Sequence, residues 1–101
     1  MKEEEFDSFL QNNPDKSFLV KFFTTWCSPC RELQKNLEKL LLEKNDLTVL
    51  EVDAEKFSSL AQRPMFSIRS VPSLFLFRHG EIVKKVSGNM NVEQLRVFVN
   101  S

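Results

Sequence analysis

Cysteine is scarce in this chain: of 101 residues, only Cys27 and Cys30 carry a thiol. Two cysteines cannot make a disulfide-stapled mini-protein. Glycine and proline are scarce too, at two and four residues, which excludes collagen-like repeats and low-complexity chain. Neither sign of charge is in surplus. Fourteen basic residues cancel fourteen acidic ones, whereas a general nucleic-acid binder needs excess positive charge to neutralise phosphates. Long apolar runs are missing as well. Leu40–Leu42 and Leu74–Phe77 fall far short of the roughly 20 residues that span a bilayer. The start, Met1-Lys2-Glu3-Glu4-Glu5, is charged where a secretory leader is apolar. Neither a nucleic-acid nor a membrane partner is expected.

What is present is enough for a core. The chain is 42% hydrophobic and 28% charged, and it holds ten phenylalanines. At this length folding buries something over ~60% of the surface that the unfolded chain exposes. Residues 1–101 are read as a single domain with no repeat and no linker.

The segments are short and alternate in type. Lys2 to Gln11 is predicted helical, with Phe6, Phe9 and Leu10 on one face and glutamates at the start, where the helix dipole favours them. Asn12-Asn13-Pro14-Asp15 reads as a turn. Ser17 to Phe23 is a nearly continuous apolar run, interrupted by Lys21, as in a strand buried on both faces. A helix follows from Ser28 to about Lys44, with Ser28 as cap and Pro29 at its first position. Leu47 to Val52 is a second strand, and Ala54 to Gln62 a short helix ending before Pro64. Ser73 to Arg78 and Glu81 to Val86 flank His79-Gly80, a two-residue hairpin signal. Asn91, with Gln94 three residues on, caps a last helix. The order α-β-α-β-α-β-β-α combines a parallel βαβ unit with an antiparallel hairpin, so the sheet should be mixed.

Trp26-Cys27-Ser28-Pro29-Cys30 lies between the buried strand and the helix N-terminus. The attacking species in disulfide exchange is the thiolate. Unpaired N–H groups and the positive dipole end favour a negative sulfur at Cys27. Cys30, one turn deeper, is close enough to attack a mixed disulfide formed there. Other readings exist for the pair. A structural zinc needs four ligands, and the rest of the chain supplies only His79. Inert core thiols would fit Cys30 but not Cys27. A static disulfide remains open, although so short a loop constrains the unfolded chain little. A CxxC within a βαβ pattern favours redox chemistry.

The chain resembles thioredoxin over nearly its whole length. The resemblance is carried by Phe22-Phe23-Thr24-Thr25-Trp26-Cys27-Ser28-Pro29-Cys30, by Val71-Pro72-Ser73 before Leu74-Phe75-Leu76-Phe77, by the Gly80 turn and by Gly88. It implies a thioredoxin fold: an α/β architecture with helices flanking a mixed four-stranded sheet, in spatial order second-first-third-fourth. The family's N-terminal edge strand would be absent. It also implies that Cys27 is the nucleophile and Cys30 the resolving thiol. Pro72 would be cis and face the sulfurs. Trp26, Val71, Pro72, Gly88 and Asn89 would meet substrate, with the Val71 backbone pairing with an extended segment. Without the resemblance, Trp26 reads as a core aromatic and Pro72 as an ordinary trans proline.

Four positions depart from the family. Lys21 stands where it carries a buried aspartate that takes a proton from the resolving cysteine. An ammonium near the sulfurs would favour thiolate and make the protein more oxidising; a lysine that snorkels to the rim would do neither. Val49 is read as the position of the lysine that pairs with that aspartate. Ser28 replaces glycine and is read as the helix cap. Lys35 replaces a helix-kinking proline, so the helix should be straighter. Arg63-Pro64-Met65-Phe66 is extra material, with Phe66 expected in the core and Met65 open between core and substrate-facing surface. His79 is expected to be exposed in its turn.

The expectation is a cytoplasmic, monomeric thiol–disulfide oxidoreductase, most plainly a protein disulfide reductase, with Lys21, Trp26, Ser28, Pro29 and Pro72 modulating the two cysteines. It would use no cofactor or metal, act on protein disulfides and draw electrons from a thioredoxin-reductase-like donor. The alternatives are a more oxidising oxidase or isomerase, and a slow thioredoxin-fold adaptor.

Overall fold

Strand β1 (Phe18–Phe23) organises the molecule, because it pairs on both edges. The computed structural model describes residues 1–100. Around β1 the chain runs α1 (Glu3–Asn12), α2 (Ser28–Glu43), β2 (Thr48–Asp53), α3 (Ser58–Ala61), β3 (Ser73–Arg78), β4 (Glu81–Ser87) and α4 (Val92–Asn100). The sheet order is β2-β1-β3-β4. β1 pairs parallel with β2 and antiparallel with β3, and β3 pairs antiparallel with β4. This is the expected mixed four-stranded sheet. Among the described residues no strand precedes α1.

The sheet separates two cores of different composition. Phe6, Phe18, Phe22, Phe66, Phe75 and Phe77 pack on one face. Leu19, Leu33, Leu37, Leu40, Leu74 and Leu95 pack on the other, against α2 and α4. Alternation along β1 sends Phe18, Val20 and Phe22 to the phenylalanine side and Leu19 and Lys21 to the leucine side. Central β1 and β3 are buried along almost their whole length, whereas edge strand β4 alternates exposed and half-buried residues. That difference explains why the central strands are written as apolar runs.

Local chemistry closes the elements. His79 and Gly80 both have positive φ, 53° and 76°, as a two-residue turn of the I′ kind requires. At α4 the Gln94 N–H donates to Asn91 Oδ1 at 2.8 Å, and the Asn91 N–H donates to Gln94 Oε1 at 2.9 Å. This is a reciprocal cap. The third helix is shorter than expected. The Asp53 carboxylate accepts the N–H groups of Glu55 and Lys56 and holds the chain in turns before Ser58. Phe66 is buried, as expected, and Met65 lies at the surface, 41% exposed. His79 is exposed in its turn.

Candidate active site

The reactive pair lies where β1 ends and α2 begins. Cys27, not Ser28, is the N-cap: its Sγ accepts the Cys30 N–H at 3.1 Å. Ser28 is the first helical residue and Pro29 the second, so both expectations shift by one position. Sulfur takes the capping role because it sits one residue before the helix, where a side-chain acceptor reaches the N–H of the third helical residue. The Ser28 hydroxyl instead accepts from Arg31 Nη2 at 3.1 Å. Cys27 and Cys30 form a disulfide, with Cα atoms 5.2 Å apart, and only about a twentieth of each residue is exposed.

The loop before β3 approaches from the other side. The Val71–Pro72 bond is cis. Cys27 Sγ lies 3.7 Å from the Val71 carbonyl oxygen. The Gly88 N–H donates to the Pro72 carbonyl at 2.8 Å, which ties the end of β4 to this loop. Gly88 has φ of 93°, a conformation that glycine adopts without strain. A cleft of about 500 Å³ opens beside Cys27. Trp26, Ser28 and Pro29 line one side, and Ile68 to Val71 the other. Trp26 is not a core aromatic: 68% of it is exposed, and its indole N–H donates to the Glu55 carboxylate. Pro72, Gly88 and Asn89 do not line this cleft. Asn89 accepts a hydrogen bond from Asn36 of α2 at 3.3 Å.

Behind the pair is a second cavity, of about 370 Å³, lined by Cys30, Arg31, Gln34, Lys21 and Glu51 among others. Lys21 is only 3% exposed. Its Nζ is 2.6 Å from Glu51 Oε1, donates to Gln34 Oε1 and lies 5.4 Å from the Phe23 ring centre. The ammonium thus shares a cavity with the Cys30 sulfur and carries its counter-ion with it. Glu51, not Val49, faces Lys21 across the parallel strands; Val49 faces Leu19 and packs in the leucine core. Val49 does not stand opposite Lys21, because parallel register, not sequence pattern, decides which residue of β2 does. Glu51 was visible in the sequence as a charge inside an apolar run, the same signal that singled out Lys21. Thr24, also missed, lines both the cleft and the cavity, and its buried hydroxyl has no hydrogen-bond partner in the protein. Lys35 is exposed and pairs with Glu32 one turn away. Among the described residues no cluster of three or more metal-ligating side chains occurs, and no helix is long and apolar enough to cross a membrane.

Comparison with known proteins agrees with this geometry. A family model described as Thioredoxin matches residues 1–101. Thioredoxin Y1, chloroplastic, of Arabidopsis thaliana is 34% identical over 97 residues, covering 93% of this chain and 55% of the relative. The chain therefore spans about half the length of that protein. The thioredoxin of Chlamydia pneumoniae is 35% identical over 97 residues, covering 96% of this chain and 90% of the relative. Among solved structures, Chlamydomonas reinhardtii thioredoxin f2 superposes with a TM-score of 0.85 at 25% identity, covering 99% of this chain and 91% of its own.

Proposed function

This chain belongs to the thioredoxin family, and from that premise we propose that it is a protein-disulfide oxidoreductase working as a reductase. The observation that carries the reading is the Cys27–Cys30 pair at the start of α2, set against the cis Val71–Pro72 loop at the mouth of an open cleft. In the reduced protein, Cys27 loses its proton and its sulfur attacks one sulfur of a client disulfide. A mixed disulfide forms and the other client sulfur leaves as a thiolate. Cys30 then gives up its proton to solvent and attacks Cys27 Sγ. The Cys27–client bond breaks, and the client departs with both electrons. The Cys27–Cys30 disulfide is closed, and a thioredoxin-reductase-like flavoprotein returns two electrons to it.

Position favours Cys27 as nucleophile. It caps the helix, so the Cys30 N–H and the helix dipole stabilise its thiolate. Trp26 and the backbone of Val71 border the cleft that an extended client strand would enter. Gly88 holds the loop through its bond to the Pro72 carbonyl, and Asn89 beside it bonds Asn36 of α2. The proposed setting is a reducing compartment, the cytoplasm, with the protein acting as a monomer; fractionation and size-exclusion chromatography check these two points.

The test is a Cys30→Ser variant. It should trap clients as mixed disulfides at Cys27, whereas Cys27→Ser should trap none and should fail to accelerate insulin reduction by dithiothreitol. If the intact protein gives no acceleration, the slow-adaptor reading takes over. A more oxidising role has one observation in its favour, the buried Lys21 beside Cys30. Equilibration with glutathione separates the two directions. The Glu51 counter-ion favours the reductase reading, because it offsets the field of the ammonium at the sulfur.

A further inference from the structure

The cleft beside Cys27 does not stop at the loop. Ile68, Arg69 and Ser70 line it, and the same three residues line a second pocket of about 310 Å³. That pocket runs to Ser73 at the start of β3 and to Lys85 and Ser87 near the end of β4. Cleft and pocket thus form one track from the reactive sulfur, over Arg69, to Lys85.

The track is charged with one sign. Its lining contains Arg69 and Lys85 and no carboxylate. Both cations are exposed, and among the described residues neither side chain has an ion-pair or hydrogen-bond partner. A third cation stands at the cysteine end, where Arg31 donates to Ser28 Oγ and to the Thr25 carbonyl. Glu55, next to Trp26, has its carboxylate engaged by the indole N–H. Elsewhere Arg63 pairs with Glu3 and Asp7, Arg96 with Glu43 and Lys21 with Glu51, while several other lysines, Lys39, Lys44 and Lys84 among them, join no ion pair among the described residues. A protein with no net charge therefore leaves unpaired positive charge along the path from its reactive sulfur.

We infer that the site selects client disulfides whose cysteine is followed or preceded by acidic residues on the side that crosses Arg69, and that Arg69 is the main specificity-determining residue. The inference rests on the disulfide-exchange reading above and names its substrate class. An extended segment lying over the cleft would bring an acidic side chain to Arg69 and a further one towards Lys85. Rim charges of this kind act mainly on the rate of encounter, so their effect fades with salt.

The experiment uses three short peptides, identical except for Glu, Gln or Lys at the two positions on each side of a single cysteine. Each is presented as its mixed disulfide with 2-thiopyridine, and release of thiopyridone by the reduced protein is followed. Rates are divided by those with dithiothreitol, an uncharged thiol, to remove the intrinsic reactivity of each peptide. At low salt the Glu peptide should react about tenfold faster than the Lys peptide, with the ratio falling as salt is added. Arg69→Glu should reverse the order, and Lys85→Glu should narrow the gap. Equal rates across the three peptides, or an order unchanged in Arg69→Glu, overturn the inference while leaving the oxidoreductase standing. Failure to release thiopyridone from any peptide overturns the oxidoreductase reading and this inference with it.

Discussion

A buried ammonium is costly unless it is compensated, and Lys21 is compensated three ways, by Glu51, Gln34 and the Phe23 ring. The pair is asymmetric. Lys21 is buried, while Glu51 is half-exposed. Removing the carboxylate strands the charge, whereas removing the charge leaves a carboxylate that water can solvate. Glu51→Gln should therefore lower stability by about 1–3 kcal/mol, and Lys21→Met should stay within about 1 kcal/mol of the parent, both read from urea midpoints. Glu51→Gln should also lower the pH at which the thiols of the reduced protein become alkylated, because the ammonium in the Cys30 cavity loses its counter-ion. An unchanged alkylation profile would show that Lys21 does not act on the sulfurs. Position 21 stood out in the sequence as the one charge in β1. Glu51 is likewise a charge inside an apolar run, but that the two meet depends on strand register.

Elements are held by contacts that cross them. Phe66, in the stretch between α3 and β3, lies 5.5 Å from the Phe6 ring of α1, 4.8 Å from Phe22 of β1 and 5.0 Å from Phe75 of β3. Edge-on aromatic geometry adds to the area buried. Phe66→Ala should cost about 3–5 kcal/mol, measured by denaturant unfolding; a loss under about 1 kcal/mol would mean that the site collapses around the cavity. Arg63 ties the same stretch to α1. Its Nη1 and Nη2 grip the two Asp7 oxygens at 2.8 and 2.9 Å, and its Nε donates to Glu3 at 2.6 Å. The Arg63 hydrogen bonds hold the Asp7 carboxyl below its ordinary value. A carboxyl depressed in the folded state contributes stability above its unfolded value, about 3.9, and loses it as pH falls through the folded value. Thermal melts should show this acid-side loss, and Asp7→Asn should shrink it. Phe66 was readable as core from its apolar character. The Arg63 clamp was not, because it joins positions 56 and 60 residues apart.

At the scale of the molecule, one strongly apolar sheet separates a phenylalanine core from a leucine core, and the site sits where the chain leaves that sheet. The disulfide closes a loop of only a few residues, so opening it should cost about 2 kcal/mol through the unfolded chain alone. The urea midpoint should therefore fall when dithiothreitol reduces the protein, and coincident midpoints would contradict this. The order of elements, the hairpin turn at His79-Gly80, the α4 cap and the placement of a CxxC at a helix start were determined by the sequence itself. Each depends on residues only a few positions apart, and backbone preference and periodicity act at that range. The tertiary structure alone decided that Glu51 meets Lys21, that Trp26 lies outside the core, and that Arg69 and Lys85 stand on one track from the reactive sulfur. These depend on register and on the close approach of distant segments, which the balance of packing across the whole sheet sets.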